Sequence, residues 1–136
     1  MKFKTLIGSL KNVRRPKNYL IDWKTPSKSK IQYRTKQFLE SYWKNHVVFE
    51  EFPLVGTKLS FDFYNANKKI MVEVQGAQHT KYVPHFHGKS KGNYVAQLRR
   101  DADKARFCEL NGLILVEIFS EKELKVETFE KYGIFL

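Results

Sequence analysis

Apolar and polar residues alternate along LSFDFYNANKKIMVEVQ, residues 59–75, in two runs joined by a polar turn. In the first run Leu59, Phe61 and Phe63 share one parity and Ser60, Asp62 and Tyr64 the other, the period-two signature of a strand. In the second, Ile70, Val72 and Val74 fall on one face and Met71, Glu73 and Gln75 on the opposite one. A four-residue hairpin loop over residues 66–69 sets a register in which Asp62 lies directly across from Glu73.

Elsewhere the apolar period lengthens to three or four. Residues 31–43 predict a helix capped by Ser27 or Ser29, with Tyr33, Phe38, Leu39, Tyr42 and Trp43 as its apolar faces and Lys36 and Lys44 on the polar ones. Residues 47–54 read as a first strand ending at Pro53 and the Gly56 turn, with Glu50 and Glu51 expected in solvent. Residues 93–111 form the clearest helix, with Val95, Leu98, Ala102, Ala105 and Cys108 recurring along it and Gly112 as its stop. The near-continuous apolar run LILVEIF, residues 113–119, predicts a strand covered on both faces, followed by a short, acidic, peripheral helix over residues 121–131. The predicted class is α/β (α+β), a central mixed sheet flanked by helices.

Length and composition add bounds. A chain of 136 residues fits one domain with its own core, supplied here with eleven Phe and seven Tyr. Residues 1–26 carry Lys2, Lys4, Lys11, Arg14, Arg15, Lys17 and Lys24 beside hardly an acid, and Pro16 and Pro26 interrupt any long helix. They predict an extended or partly ordered basic arm, leaving residues 27–136 as the folded domain. The single cysteine, Cys108, excludes an internal disulfide and a cysteine-built zinc site and is expected in the core. No apolar run approaches the roughly 20 residues of a membrane span, and the N-terminal stretch lacks a sustained apolar h-region, so a cytoplasmic protein is expected. The net charge of +11 makes a polyanion the first partner to consider, nucleic acid before membrane, because the basic residues are spread along the chain.

Like charges placed opposite each other on a sheet are destabilising. A divalent cation between Asp62 and Glu73 removes that cost, and Mg²⁺, which takes one or two carboxylates plus water and phosphate, suits the pair. A wet sheet face with two solvated acids is the plain alternative. Beyond the hairpin, Gly76 ends the strand and His79 follows beside the pair. The loop over residues 79–92 carries Lys81, Lys89 and Lys91 and is long enough for a substrate-contacting flap. A zinc site from His79, His85 and His87 lacks a fourth evident ligand.

The order helix, three antiparallel strands, helix, strand, with D-x10-E-x-Q across the central hairpin, resembles the PD-(D/E)XK nuclease superfamily. The closer likeness is to its Vsr-like branch, which includes very-short-patch repair endonucleases and phage or intron-borne homing endonucleases. It is carried by Phe61-Asp62-Phe63, by Val72 through His79, and by Arg100-Asp101 running through Lys104 to Asn111-Gly112-Leu113, covering about residues 30–120.

The resemblance implies a restriction-endonuclease-like core and Mg²⁺-dependent hydrolysis of DNA phosphodiesters, with Mn²⁺ able to substitute. Asp62 and Glu73 are implied as metal ligands, with the Val74 carbonyl as a third. Gln75 stands where the family usually has lysine, and glutamine can orient a water but carries no charge. His79 matches a histidine that assists proton transfer or the leaving group. Glu40 falls where the family places a glutamate from its first helix, whereas its own context reads as a surface residue. Asp101 is a weaker match, with Asp103 competing for the role, and Glu117 sits where arginine is often found. Arg14, Arg15, Lys81, Lys89, Lys91, Arg99, Arg100 and Lys104 are the expected backbone contacts to DNA. Two other readings stay open: a structure-specific nuclease or resolvase acting on branched DNA, and a non-catalytic basic nucleic-acid-binding module of the same fold. A ribonuclease fits the same residues. A domain this small has limited reach for a long site, which leaves room for a homodimer or for a partner protein that directs the cut.

Overall fold

The computed structural model of the chain describes residues 1–75 and 91–136, with Lys91 described in its backbone only. A two-stranded hairpin comes first, β1 (Lys2–Lys4) paired antiparallel with β2 (Leu10–Asn12), followed by a 3-10 turn over Pro16–Tyr19. The main sheet holds β3 (Val48–Pro53), β4 (Ser60–Asn65), β5 (Ile70–Val74) and β6 (Ile114–Ile118), in that spatial order. The first three form an antiparallel meander, and β6 returns parallel to β5. Helix α1 (Lys30–Trp43) precedes the sheet, α2 (Lys91–Leu110) makes the crossover to β6, and α3 (Val126–Glu130) ends the chain. The architecture is α+β, a mixed four-stranded sheet with helices on both faces. Among the described residues no helix is long and apolar enough to cross a membrane.

Two apolar clusters hold the layers together. On one face, Leu39 and Trp43 of α1 meet Val48, Phe63, Ile70, Val72, Val116 and Ile118. Phe129 of α3 is fully buried in the same cluster, stacking on Phe38 at 5.9 Å, so the segment expected at the periphery closes the core. On the other face, Phe107 and Cys108 of α2 pack against Phe49, Phe52, Phe61, Tyr64 and Met71. Phe3 and Val13 belong to this second cluster. Residues 1–26, expected as an arm, therefore place a hairpin on the core, because Phe3 and Val13, with Leu6 and Tyr19 packed beside them, dock an otherwise basic stretch. Asn111 ties it down, its Oδ1 accepting from the Lys4 N–H at 2.8 Å and its Nδ2 donating to the Lys4 carbonyl at 3.0 Å.

Helix α1 departs from the pattern read in its sequence. Ser29 is the cap, its hydroxyl accepting from the Gln32 N–H. The buried stripe runs Gln32, Thr35, Lys36, Leu39 and Trp43, so its first half is polar. Lys36 is 0% exposed, and its Nζ meets Glu50 Oε1 at 2.8 Å and the carbonyls of Asp22 and Thr25 at 2.8 Å each. Glu50 also accepts from Ser27 and Gln32. The pairing that brings Lys36 inside joins a helix to a strand and is invisible to a helical period.

Helix α2 ends as its sequence predicts. Gly112 adopts φ +65 and the Leu113 N–H reaches back to the Cys108 carbonyl at 2.8 Å, a wrap that a side chain at 112 would strain. Strand β6 differs from the expectation of full cover, with Val116 and Ile118 fully buried and Ile114 exposed at the sheet edge.

Removing one partner of a buried ion pair strands the other charge, so Lys36→Ala is expected to cost about 3 to 5 kcal/mol. Arg34→Ala, on the exposed side of the same helix, should change stability by no more than about 0.5 kcal/mol. Guanidinium unfolding midpoints at constant m compare the two.

Candidate functional site

The β4–β5 hairpin closes through a four-residue loop, with Asn65 opposite Ile70. The Asn65 side chain shapes this turn, its Oδ1 accepting from the Lys68 N–H and its Nδ2 bonding to His46 Nδ1. Lys69 takes the left-handed conformation at φ +57. The ladder runs from that pair through Tyr64 and Met71 to Phe63 and Val72. Asp62 and Glu73 come next, and there side chains take over the backbone bonds. The Asp62 N–H donates to Glu73 Oε1 at 2.9 Å, and the Val74 N–H donates to Asp62 Oδ2 at 2.7 Å.

The strict alternation read along β4 breaks at the same residue. Strands β3 and β4 pair at Glu50 with Phe63 and at Phe52 with Phe61, leaving Glu51 and Asp62 unpaired between them. Glu51 stands at φ +53, a conformation costly for a residue with a Cβ. On the α2 side Phe61 therefore joins Tyr64, three residues away, while Phe63 turns to the α1 side. The kink sets Asp62 at the seam between the two clusters.

A lysine completes the arrangement. Lys104 of α2 places Nζ 2.7 Å from Glu73 Oε2, with its side chain 16% exposed and its ammonium 5.9 Å from the centre of the Phe61 ring. Phe107 and Cys108, one turn further on, fix the rotation of the helix, so position 104 faces the sheet and not the solvent. Lys104, expected as a contact to the DNA backbone, lies inside the acidic site. Asp101, one turn earlier and half-buried, is close enough for its charge to act on Glu73.

Burial dominates the electrostatics. It pushes Asp62 up from 3.8 to about 7, with the neighbouring Glu73 adding to the rise and the Val74 amide opposing it. Burial also raises Glu73, against the pull of Lys104 and of the Asp62 amide. Two carboxylates held in this way keep a raised affinity for a proton. Burial raises the Cys108 thiol to about 12, which leaves it un-ionised at neutral pH.

The other sequence candidates divide into three groups. Gln75 is 4% exposed and turns toward β6, its N–H donating to the Ile118 carbonyl at 2.6 Å and its Nε2 to Glu117 Oε2 at 3.4 Å. Glu117 thus faces the glutamine, from the position in β6 opposite Glu73. Glu40 stands apart, two helical turns beyond Gln32 and paired with Lys24 Nζ at 3.2 Å. The acid that approaches Asp62 is Glu51, held by Gln32 Nε2 at 2.9 Å and near enough to contribute to the Asp62 shift. Its neighbour Glu50 is bound to Lys36, so neither acid is the freely solvated residue expected from the strand pattern. Arg14, Arg15, Arg99 and Arg100 are exposed. His79, Lys81 and Lys89, the histidines of the zinc alternative and the side chain of Lys91 lie outside the described residues.

No protein-family model matches the chain, and no solved structure matches it. Curated relatives come from viruses. The chain is 38% identical over 74 residues to the uncharacterized protein 307L of Invertebrate iridescent virus 6, across 54% of this chain and 37% of that protein. It is 31% identical over 99 residues to the uncharacterized protein 033L of Invertebrate iridescent virus 3, across 69% and 50% of the two chains. With the uncharacterized protein 094L of Frog virus 3 (isolate Goorha) it shares 35% identity over 66 residues, across 48% and 43%. The matched part is half or less of each relative's length.

Because Asp62 holds its proton more tightly folded than unfolded, the native state binds the extra proton between about pH 4 and 7. Stability in metal-free buffer should therefore fall as pH rises through that window, relative to Asp62→Asn, which cannot titrate. Urea midpoints of the two proteins across the window test this, and parallel curves would rule out a raised Asp62.

Proposed function

We propose that this chain is a metal-dependent DNA endonuclease built on a restriction-endonuclease-like core. The observation that carries the reading is the Asp62–Glu73 pair, Glu73 buried and Asp62 half-buried, fixed across two strands by the backbone amides of Asp62 and Val74 inside a chain of net charge +11. A protein that only held phosphates would gain nothing from two carboxylates there, since they repel the ligand.

The donor set fits a small hard cation. Asp62 spends one oxygen on the Val74 amide, Glu73 one on the Asp62 amide and the other on Lys104, and each retains lone pairs. Among the described residues no three His, Cys, Asp or Glu side chains converge on one point. The protein would thus supply two carboxylates, with the Val74 carbonyl as a third donor, and water and phosphate would fill the rest, a division that Mg²⁺ accepts and Mn²⁺ tolerates. Held there, the cation supplies acidity to a water molecule and neutralises charge that builds on the phosphate. Asp62 and Glu73 orient that centre through geometry set by the strand amides, not by free rotamers. Arg99 and Arg100, exposed on the helix that carries Lys104, and the exposed Arg14 and Arg15 are assigned to the DNA backbone. His79 is assigned the proton at the leaving oxygen.

The purified protein should nick or linearise supercoiled plasmid in Mg²⁺ or Mn²⁺, and EDTA should stop it. Asp62→Ala and Glu73→Ala should each lower the rate by about 100-fold or more, while gel-shift binding in Ca²⁺ stays within about 3-fold. Cleavage retained in the double variant would overturn the reading, and salt-sensitive binding without cleavage by the wild type would favour a binding module.

A further inference from the structure

We infer that Lys104, reaching in from α2, supplies the positive charge that the strand itself lacks at position 75, and that it does so by hydrogen-bonding the phosphate under attack. The inference rests on the nuclease reading. Three independent observations support it. The first is that Gln75, one strand step past Val74, is spent elsewhere, with its amide group on Glu117 and its side chain buried against β6. Even unconstrained it would carry no charge.

The second is the place of the Lys104 ammonium. It touches Glu73 Oε2 at 2.7 Å, on the oxygen that the Asp62 amide leaves open. A phosphate drawn to the same two carboxylates through a cation arrives within reach of it. The third is the manner in which it is held. A surface lysine samples many rotamers, whereas this one holds its ammonium 5.9 Å from the centre of the Phe61 ring and is largely withdrawn from water. That preorganisation is what an electrostatic group at a reacting centre requires. The role involves no proton transfer: Lys104 contributes a positive charge and a hydrogen bond.

The competing explanation is that Lys104 only neutralises Glu73. The two differ in what happens when the charge is moved rather than removed. Lys104→Gln should lower plasmid cleavage by about 100-fold while Mn²⁺ binding, followed by electron paramagnetic resonance, is kept or tightened, because a competing cation has left Glu73. Adding Gln75→Lys to that variant should restore at least a tenfold part of the loss. If Lys104→Gln unfolds, the double variant decides alone, with cleavage supporting the inference and a folded, Mn²⁺-binding but inactive protein overturning it. Cleavage by folded Lys104→Gln within about 3-fold of wild type would leave the nuclease standing and reduce Lys104 to a counter-ion. A wild type that cleaves neither plasmid nor branched DNA would remove the nuclease reading and this inference with it.

Discussion

The structure depends on how two strands carry a pair of carboxylates that repel each other. At the end of the β4–β5 ladder the normal exchange of backbone bonds gives way to a crossed one, the Asp62 amide to Glu73 and the Val74 amide to Asp62. Each negative charge is thereby placed on a donor that the sheet would otherwise have had to satisfy from the opposite strand. The arrangement still leaves two acids largely out of water, a costly state that the Lys104 ammonium only partly offsets.

The other face of the sheet solves a similar problem by a different route. Glu50 points toward α1 and is met by Lys36, with Gln32 bridging from Glu50 to Glu51. The same lysine binds the carbonyls of Asp22 and Thr25, so the segment entering α1 is tied to the strand. Here the acid is fully compensated within the protein. The contrast between Glu50, satisfied by three donors, and Asp62, satisfied by one amide and pressed by Glu73, marks which of the two acidic places is structural. Between them stands Glu51, in a strained backbone conformation at the point where the β3–β4 ladder skips. That skip turns Phe61 toward α2, where it lies beside both Phe107 and Lys104.

The basic hairpin at the N-terminus belongs to the same economy of packing. Phe3 inserts among Phe52, Tyr64 and Phe107, so a stretch dominated by positive charge is fixed on the α2 side of the sheet by that ring together with Val13 and Leu6. Arg14 and Arg15 are consequently presented from a docked element and not from a free tail. A fixed array of charges loses less entropy on meeting a polyanion than a tethered one does.

Much of this was present in the chain as a pattern. Alternation on both sides of Ala66 to Lys69 defined the hairpin, its register and the facing of Asp62 and Glu73, because a side-chain period of two leaves little freedom once the loop length is known. Gly112 gave the stop of α2 for the same local reason, whereas Val95, Leu98, Ala102 and Ala105, expected as its apolar face, are exposed, because the helix meets the core through Phe107 and Cys108. The break at Asp62 was not legible, since it arises from a left-handed Glu51 on the neighbouring strand. Lys36 and Lys104 were read as solvent-facing or phosphate-facing because lysine on a helix usually is. What brings each inside is a carboxylate contributed by a different element, Glu50 from β3 and Glu73 from β5. The sequence by itself determined the elements and the acidic pair, whose causes lie within a few residues. Only the tertiary structure decided which lysine meets which acid, because that choice is made by packing between segments that no local period connects.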